Sequence, residues 1–352
     1  MNPEQKTIVL LTPGFAASED DTTCLPMQYR FAKRMSELYP GVQVIVLAFQ
    51  YPYHQTPYKI FGVEVIPFGG KNKGGLSRLF LRKKIYAALD SIRNTRAIAG
   101  LVSFWYGECA AVAAKYAGKN QLKHFCWIRG QDARKRNKYI QRSHLPAEDL
   151  IALSEELAIE FRSNYKIVPA HIIPPGVDKV DLSNRERNID LLAAGSLIQL
   201  KRFDLFIDIL AGIKRKLPNV KACIAGKGPL HGSLQKKIES LGLRSNVFMP
   251  GELSHPDLMN LMQRTKILLH PSSYEGFPAV CLEALAAGAH VISFCDPMKK
   301  EIEKWTVVKD IREMQAKAMN ILQDTDIRFE SIVPFNLDDS VRSVMKLFES
   351  HG

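Results

Sequence analysis

The chain has 352 residues, 46% of them hydrophobic, and a formal charge of +12; that is enough for full cores, and the length suggests two domains. No apolar run reaches the roughly 18 residues of a membrane-spanning helix, and residues 1–15 lack the basic start of a secretory leader, so a cytosolic protein is expected. The charge is uneven: residues 1–180 hold 25 Lys+Arg against 15 Asp+Glu (+10), and the remainder 23 against 21 (+2). The first half therefore invites an anionic partner, whether membrane lipid, lipid-linked phosphate or nucleic acid. Cys24, Cys109, Cys126, Cys223, Cys281 and Cys295 show no paired spacing and read as reduced core residues, not a zinc or disulfide set.

Apolar runs and turn residues predict α/β alternation throughout. In the first half, strands are expected at 7–12, 43–49, 61–67, 97–104, 123–128, 149–154 and 170–173. Helices are expected over 26–38, from 76 onward, over 109–116 and over 155–164. Gly14 opens the first strand-to-helix loop. Residues 71–84 hold six basic residues and no acid. From Leu76 they read as a basic amphipathic helix in which Leu76, Leu79 and Phe80 share a face ringed by Arg78, Arg82 and Lys83. Such a helix suits an anionic membrane surface, or is a solvated face of the domain. The polar run 182–188 is the expected hinge.

The second half repeats the alternation. Strands are expected at 190–194, 221–225, 246–249, 267–270 and 290–294. Helices are expected over 205–216, 231–241, 258–264, 279–287, 311–323 and 338–348. Gly226 and Gly228 stand at a strand end, where glycine permits close backbone approach to a ligand. The stretch 267–296 is the most informative. A buried strand ends at His270, Pro271 breaks it, and Glu275-Gly276-Phe277-Pro278 turns into an Ala-rich helix closed by Gly288. Glu283 lies in that helix among Val280, Cys281, Leu282 and Ala284, so it is an acid on a buried element. Glu275 lies on a loop at the carboxyl end of a strand, where open α/β sheets bind ligands. The helix start beyond it is a ready anion site.

Glu275-Gly276-Phe277-Pro278 followed by Glu283 resembles the Glu–seven residues–Glu signature of retaining GT-B glycosyltransferases, most closely glycosyltransferase family 4. Further segments carry the resemblance: Arg129-Gly130-Gln131-Asp132, Pro174-Pro175-Gly176-Val177-Asp178, Gly195-Ser196 with Lys201, and Gly226-Lys227-Gly228-Pro229. The resemblance implies an α/β GT-B fold of two Rossmann-like domains facing a central cleft. Residues 1–180 would form the acceptor-binding domain and 189–330 the nucleotide-sugar-binding domain, with the helix 338–350 packed back on the first. It also implies a hexosyl-type transfer from a nucleotide-diphosphate sugar to a glycan or lipid-linked acceptor, in cell-surface polysaccharide or glycolipid synthesis. The enzyme would work in the cytoplasm or peripherally on the inner membrane face.

In that reading Glu283 binds the ribose hydroxyls and Glu275 the sugar hydroxyls. Lys201, with Arg202, stabilises the leaving diphosphate. Backbone at Gly14, Gly226, Gly228, Phe277, Pro278, Ala279 and Val280 lines the donor, and Asp132 and Arg129 join the catalytic set. No Asp-x-Asp pair is present, and neither a metal nor a further cofactor is expected. Two positions depart from the family: Ser196 stands where an Arg is usual, and Arg129 where a His is usual. An arginine stabilises phosphate charge but is no base near neutral pH. A non-catalytic nucleotide- or glycan-binding relative and a nucleotide-sugar epimerase remain open. Nucleic acid is not expected as a partner, because interleaved basic and aromatic recognition motifs are absent.

Overall fold

The computed structural model describes residues 6–182 and 186–349. They form two compact units: Met1–Pro175 with Leu337–Gly352, and Gly176–Asn336.

Unit 1 begins with β1 (Lys6–Gly14), α1 (Pro26–Leu38), β2 (Val42–Tyr51), β3 (Tyr58–Ile60), β4 (Val63–Pro67), α2 (Gly75–Thr95), β5 (Ala97–Phe104) and α3 (Glu108–Asn120). It continues with β6 (His124–Ile128), α4 (Ile140–Ser143), β7 (Leu150–Ala152), α5 (Glu155–Tyr165) and β8 (His171–Ile172). The sheet order is β3-β4-β2-β1-β5-β6-β7-β8. All pairings are parallel except β3 with β4. Central strands covered on both faces must be apolar along their whole length, and Ile8-Val9-Leu10-Leu11 is buried throughout. Chain order reverses at β1, with β2 on one side and β5 on the other, which makes a topological switch point.

The strand expected over 61–67 is present as β4, beginning at Val63, and forms a hairpin with the unforeseen β3. Phe61 and Gly62 both take positive φ (52° and 75°) between the paired Ile60 and Val63, the turn geometry that matches strand twist. Phe61 tolerates it because its ring stacks on Tyr29 at 5.5 Å, under Lys33 at 4.7 Å. The strand expected over 149–154 shortens to β7, since a single 3-10 turn occupies Ala147–Asp149.

Unit 2 comprises β9 (Ile189–Ala194), α6 (Phe203–Lys214), β10 (Ala222–Ala225), α7 (His231–Ser240), β11 (Val247–Gly251), α8 (His255–Gln263) and β12 (Thr265–His270). It closes with α9 (Ala279–Ala286), β13 (His290–Ser293), β14 (Trp305–Val307) and α10 (Ile311–Gln323). The parallel sheet runs β11-β10-β9-β12-β13-β14, with its switch point between β9 and β12. Helix α6 buries Phe203, Phe206, Ile207, Leu210 and Ile213, the three-and-four spacing of one helical face, against Leu191, Ile224 and Leu269. Ser254 and Asp310 cap α8 and α10 by accepting the amides of Asp257 and Glu313. The edge strand β14 was not foreseen; Trp305 anchors it by donating from Nε1 to Ser293 Oγ at 2.8 Å.

The last helix, α11 (Leu337–Glu349), belongs to unit 1. Its Phe348 ring meets Phe125 edge-on at 5.1 Å and lies where a Cβ on Gly100 would fall. The unit boundary falls between Pro175 and Gly176, earlier than the hinge expected at 182–188, because Val177 already bridges to Asn336 within unit 2. Of that hinge, 183–185 lies outside the described residues. Arg187 is fixed in unit 2, donating to the carbonyls of Thr265 and Ala287.

Candidate active site

At the unit 2 switch point the loops after β9 and β12 converge. After β9 the chain makes a 3-10 turn, Gln199–Lys201. The β12–α9 loop is tied to this turn by Ser273 N and Ser272 Oγ, which donate to Leu200 O at 2.9 and 3.1 Å. The tie brings Lys201 Nζ to 2.6 Å from Glu275 Oε1. The same oxygen accepts from His270 Nε2 at 3.0 Å. His270 is 2% exposed. Burial pulls its pKa down, against the pull of Glu275, so the ring is neutral and Nε2 carries the proton. Burial by itself raises Glu275, but the His270 hydrogen bond and the Lys201 charge outweigh it and hold the carboxyl at about 2. The site is a largely buried carboxylate whose one oxygen is shared by an ammonium and a neutral ring.

Glu283 is 7% exposed on α9 and meets His255 Nε2 at 2.9 Å. His255 opens α8, so two elements hold this second acid. Helix α9 starts at Ala279 with Pro278 as its N-cap residue, one position before the helical turn in which the proline was expected. No side chain caps that end, and its first turn holds no acid, which leaves a positive dipole end at the carboxyl edge of β12.

The other expected donor residues separate into distinct jobs. Phe277 turns its ring into the core, edge-on to Trp305 at 6.2 Å and Phe335 at 5.7 Å. The Ala279 amide is bonded to Phe277 O at 3.0 Å; Val280 lies beyond it in the first turn. Arg202 turns from the Lys201–Glu275 pair to Asp204, Nε to Oδ1 at 3.2 Å. Gly226 and Gly228 are required by packing between loops: a Cβ on Gly226 would overlap the Gly195 carbonyl, and one on Gly228 the Leu197 carbonyl. Their freedom brings the β10 loop against the β9 loop that carries Lys201.

Gly14, Arg129 and Asp132 lie in unit 1. Gly14 ends β1 and pairs with Tyr51 in β2, and a Cβ added there would meet Cys24 Sγ at ordinary contact distance. Asp132 is 8% exposed, and its carboxylate accepts the amides of Tyr106 (2.8 Å), Gly130 (2.7 Å) and Arg129. It shapes the turn that presents Arg129. Two of the four histidines of unit 2, His270 and His255, were missed as partners of the two acids. The available signal for His270 was a polar ring at the end of the apolar run Ile267-Leu268-Leu269.

Among the described residues no cluster of three or more His, Cys, Asp or Glu could hold a metal ion, and no helix is long and apolar enough to cross a membrane.

Two open, mostly parallel sheets, each with a topological switch point, place the chain in the GT-B class. Anabaena HepE, solved in complex with UDP and glucose, aligns over 98% of this chain and 99% of its own with a TM-score of 0.72 at 16% identity. WaaG, a glycosyltransferase of lipopolysaccharide biosynthesis, aligns over 97% and 95% with a TM-score of 0.64 at 18% identity. Residues 177–324, most of unit 2, match the family described as glycosyl transferases group 1. Among characterised relatives, the gpi3 subunit of phosphatidylinositol N-acetylglucosaminyltransferase from Schizosaccharomyces pombe is 34% identical over 105 residues, 30% of this chain and 23% of its own. The alpha-D-kanosaminyltransferase of Streptomyces kanamyceticus is 24% identical over 225 residues, 61% and 56% of the two chains. The matches thus span from about a quarter to just over half of these relatives' lengths.

Proposed function

We propose that the protein is a retaining glycosyltransferase of family 4 type that takes a sugar from a nucleotide-diphosphate donor. The Lys201–Glu275–His270 cluster at the unit 2 switch point carries this reading. As the donor's glycosidic bond breaks, negative charge grows on the leaving diphosphate. Lys201 and the open N-terminus of α9 are set to stabilise that charge, the kind of electrostatic term that dominates many enzymes. Glu275, held ionised, accepts hydroxyls of the transferred sugar through Oε2, since Lys201 and His270 both take Oε1. Glu283 accepts ribose hydroxyls in exchange for His255. The phosphate oxygen leaving the sugar takes the acceptor's proton, so no separate base is needed. UDP is the first nucleotide to try, because HepE was solved with it.

The experiment is thermal stability against UDP, GDP, ADP and CMP, on wild type and Glu283→Ala. At a hundredfold excess over its dissociation constant the bound diphosphate adds about 2.7 kcal/mol. A shift with one of the three diphosphates that is lost in the variant is the expected result, with CMP as the monophosphate comparison. No shift with any of the four would turn the reading toward a non-catalytic relative.

The acceptor we propose is a glycan or lipid-linked molecule at the cytoplasmic membrane face. Leu76, Leu79 and Phe80 on α2 are 73%, 55% and 62% exposed. They border a groove of about 780 Å³ flanked by Arg82, Lys83, Lys115 and Arg142. An apolar, cationic groove suits an anionic lipid. Sedimentation with anionic vesicles tests it: Leu79→Glu with Phe80→Glu should abolish binding, and unchanged binding would remove the membrane from the proposal.

A further inference from the structure

The unit 1 switch point holds a cation of a different kind. Trp105 follows β5, Arg129 follows the neighbouring β6, and Met27 sits in the first turn of α1, which follows β1. The Arg129 guanidinium carbon lies 5.4 Å from the ring centre of Trp127, 5.6 Å from Trp105 and 5.8 Å from Phe104. Its Nη2 points to Met27 Sδ at 3.3 Å.

Aromatic faces attract a cation, yet a guanidinium has five N–H donors, and rings and a thioether accept hydrogen bonds only weakly. The neighbouring Asp132 favours the charge through space but makes no ion pair with it, because its carboxylate is taken up by three backbone amides. Among the described residues no carboxylate forms an ion pair with Arg129. Elsewhere in this unit, Arg34, Arg82 and Arg96 each find one, in Asp338, Glu108 and Glu64. Burial draws Arg129 down to about 10, so the cage opposes the charge it holds. Removing a charge from water without a counter-ion is expensive. The first turn of α1 beside it contains no acid, and no side chain caps that helix.

We propose that the caged Arg129 guanidinium binds an oxyanion, a phosphate or a carboxylate, carried by the acceptor. That the carrier is the acceptor rests on the transferase reading; the oxyanion site itself rests on unit 1 alone. The rings fix the planar fork, the α1 terminus adds positive potential, and the anion takes the N–H groups that the protein leaves to weak acceptors.

Two of the three tryptophans, Trp105 and Trp127, touch the guanidinium, so intrinsic fluorescence reads the site. The full chain is titrated with inorganic phosphate and, separately, with glucuronate at constant ionic strength, with chloride as the control. A saturable change with at least one oxyanion, absent in Arg129→Gln and weakened several-fold in Arg129→Lys, is the expected result, since an ammonium lacks the two-pronged geometry. A response to phosphate alone identifies a phosphate-bearing acceptor, and one to glucuronate alone an acidic sugar. No response beyond chloride, an unchanged curve in Arg129→Gln, or loss of the response in Lys201→Met overturns the proposal. If Arg129→Gln melts early, Arg129→Lys decides, and unaltered affinity there overturns it. A UDP shift without an oxyanion response removes this inference and leaves the donor reading intact; an oxyanion response without a nucleotide shift does the reverse.

Discussion

The two sheets reverse strand order at their centres, between β1 and β5 in one unit and between β9 and β12 in the other, and each sets a cation just past the carboxyl edge. In unit 2 the cation is Lys201, already paired to Glu275 at 2.6 Å with His270 sharing the same carboxylate oxygen. In unit 1 it is Arg129, surrounded by three aromatic rings and a thioether. The lysine's charge is already compensated by Glu275, and in the proposed reaction a diphosphate would exchange partners with Glu275 to reach it. The arginine's charge is held in place without an ion pair among the described residues, and only the field of Asp132 offsets its burial. The same α/β geometry thus holds one cation in an ion pair and the other among aromatic rings, which the two proposals read as a site for exchange and a site for capture.

The comparison is broken most directly at Lys201. Lys201→Met should lower kcat about 100- to 1,000-fold, the range for losing one preorganised charge-stabilising group, while the melting temperature moves little. A loss confined to KM would mean that Lys201 only binds, and the exchange picture would fail.

A smaller effect is expected at Gly226, which takes φ +147° and has the Gly195 carbonyl where a side chain would go. Gly226→Ala should cost at least about 1–3 kcal/mol, the scale of a strained backbone position. Urea denaturation measures it. A neutral substitution would show that the two loops of unit 2 are not held in register by this contact.

The least costly test is pH. His270 is lowered from an ordinary 6.5, so its stabilising contribution is complete above that value and is lost as pH falls below it. Glu275 is lowered from 4.5 to about 2, so its contribution is complete above 4.5 and is lost between there and about 2. The urea midpoint should therefore decline between pH 7 and 5 and again below 4.5. His270→Gln should make the first decline shallower; it will not abolish it, because His124 in unit 1 is also buried and lowered to about 3. Equal slopes in both proteins would show that His270 is not held neutral against Glu275.

Much of the architecture was legible because its signals are local. Ile8-Val9-Leu10-Leu11 and Ile267-Leu268-Leu269 are uninterrupted apolar runs, and such runs in alternation with helices imply parallel sheets. Gly288 closes α9 with φ +80°, as its position past the helix suggested. Glu283 stood out as an acid inside an apolar helix, and it is 7% exposed. The hairpin at Phe61-Gly62 was hidden because a phenylalanine at positive φ is stabilised by Tyr29, a residue 32 positions away.

The sequence by itself determined the two α/β units, the strand ends on which Glu275 and Lys201 stand, and the buried character of the helix that carries Glu283. These follow from periodicity and from the conformational limits of Gly and Pro, which act over a few residues. Only the tertiary structure decided the partners: His270 and Lys201 for Glu275, His255 for Glu283, Asp204 for Arg202, and aromatic faces for Arg129. It also decided that Gly226 serves loop packing and that Asp132 serves a turn. Pairings of this kind depend on which strand ends lie side by side, and strand order is fixed by the packing of the whole sheet.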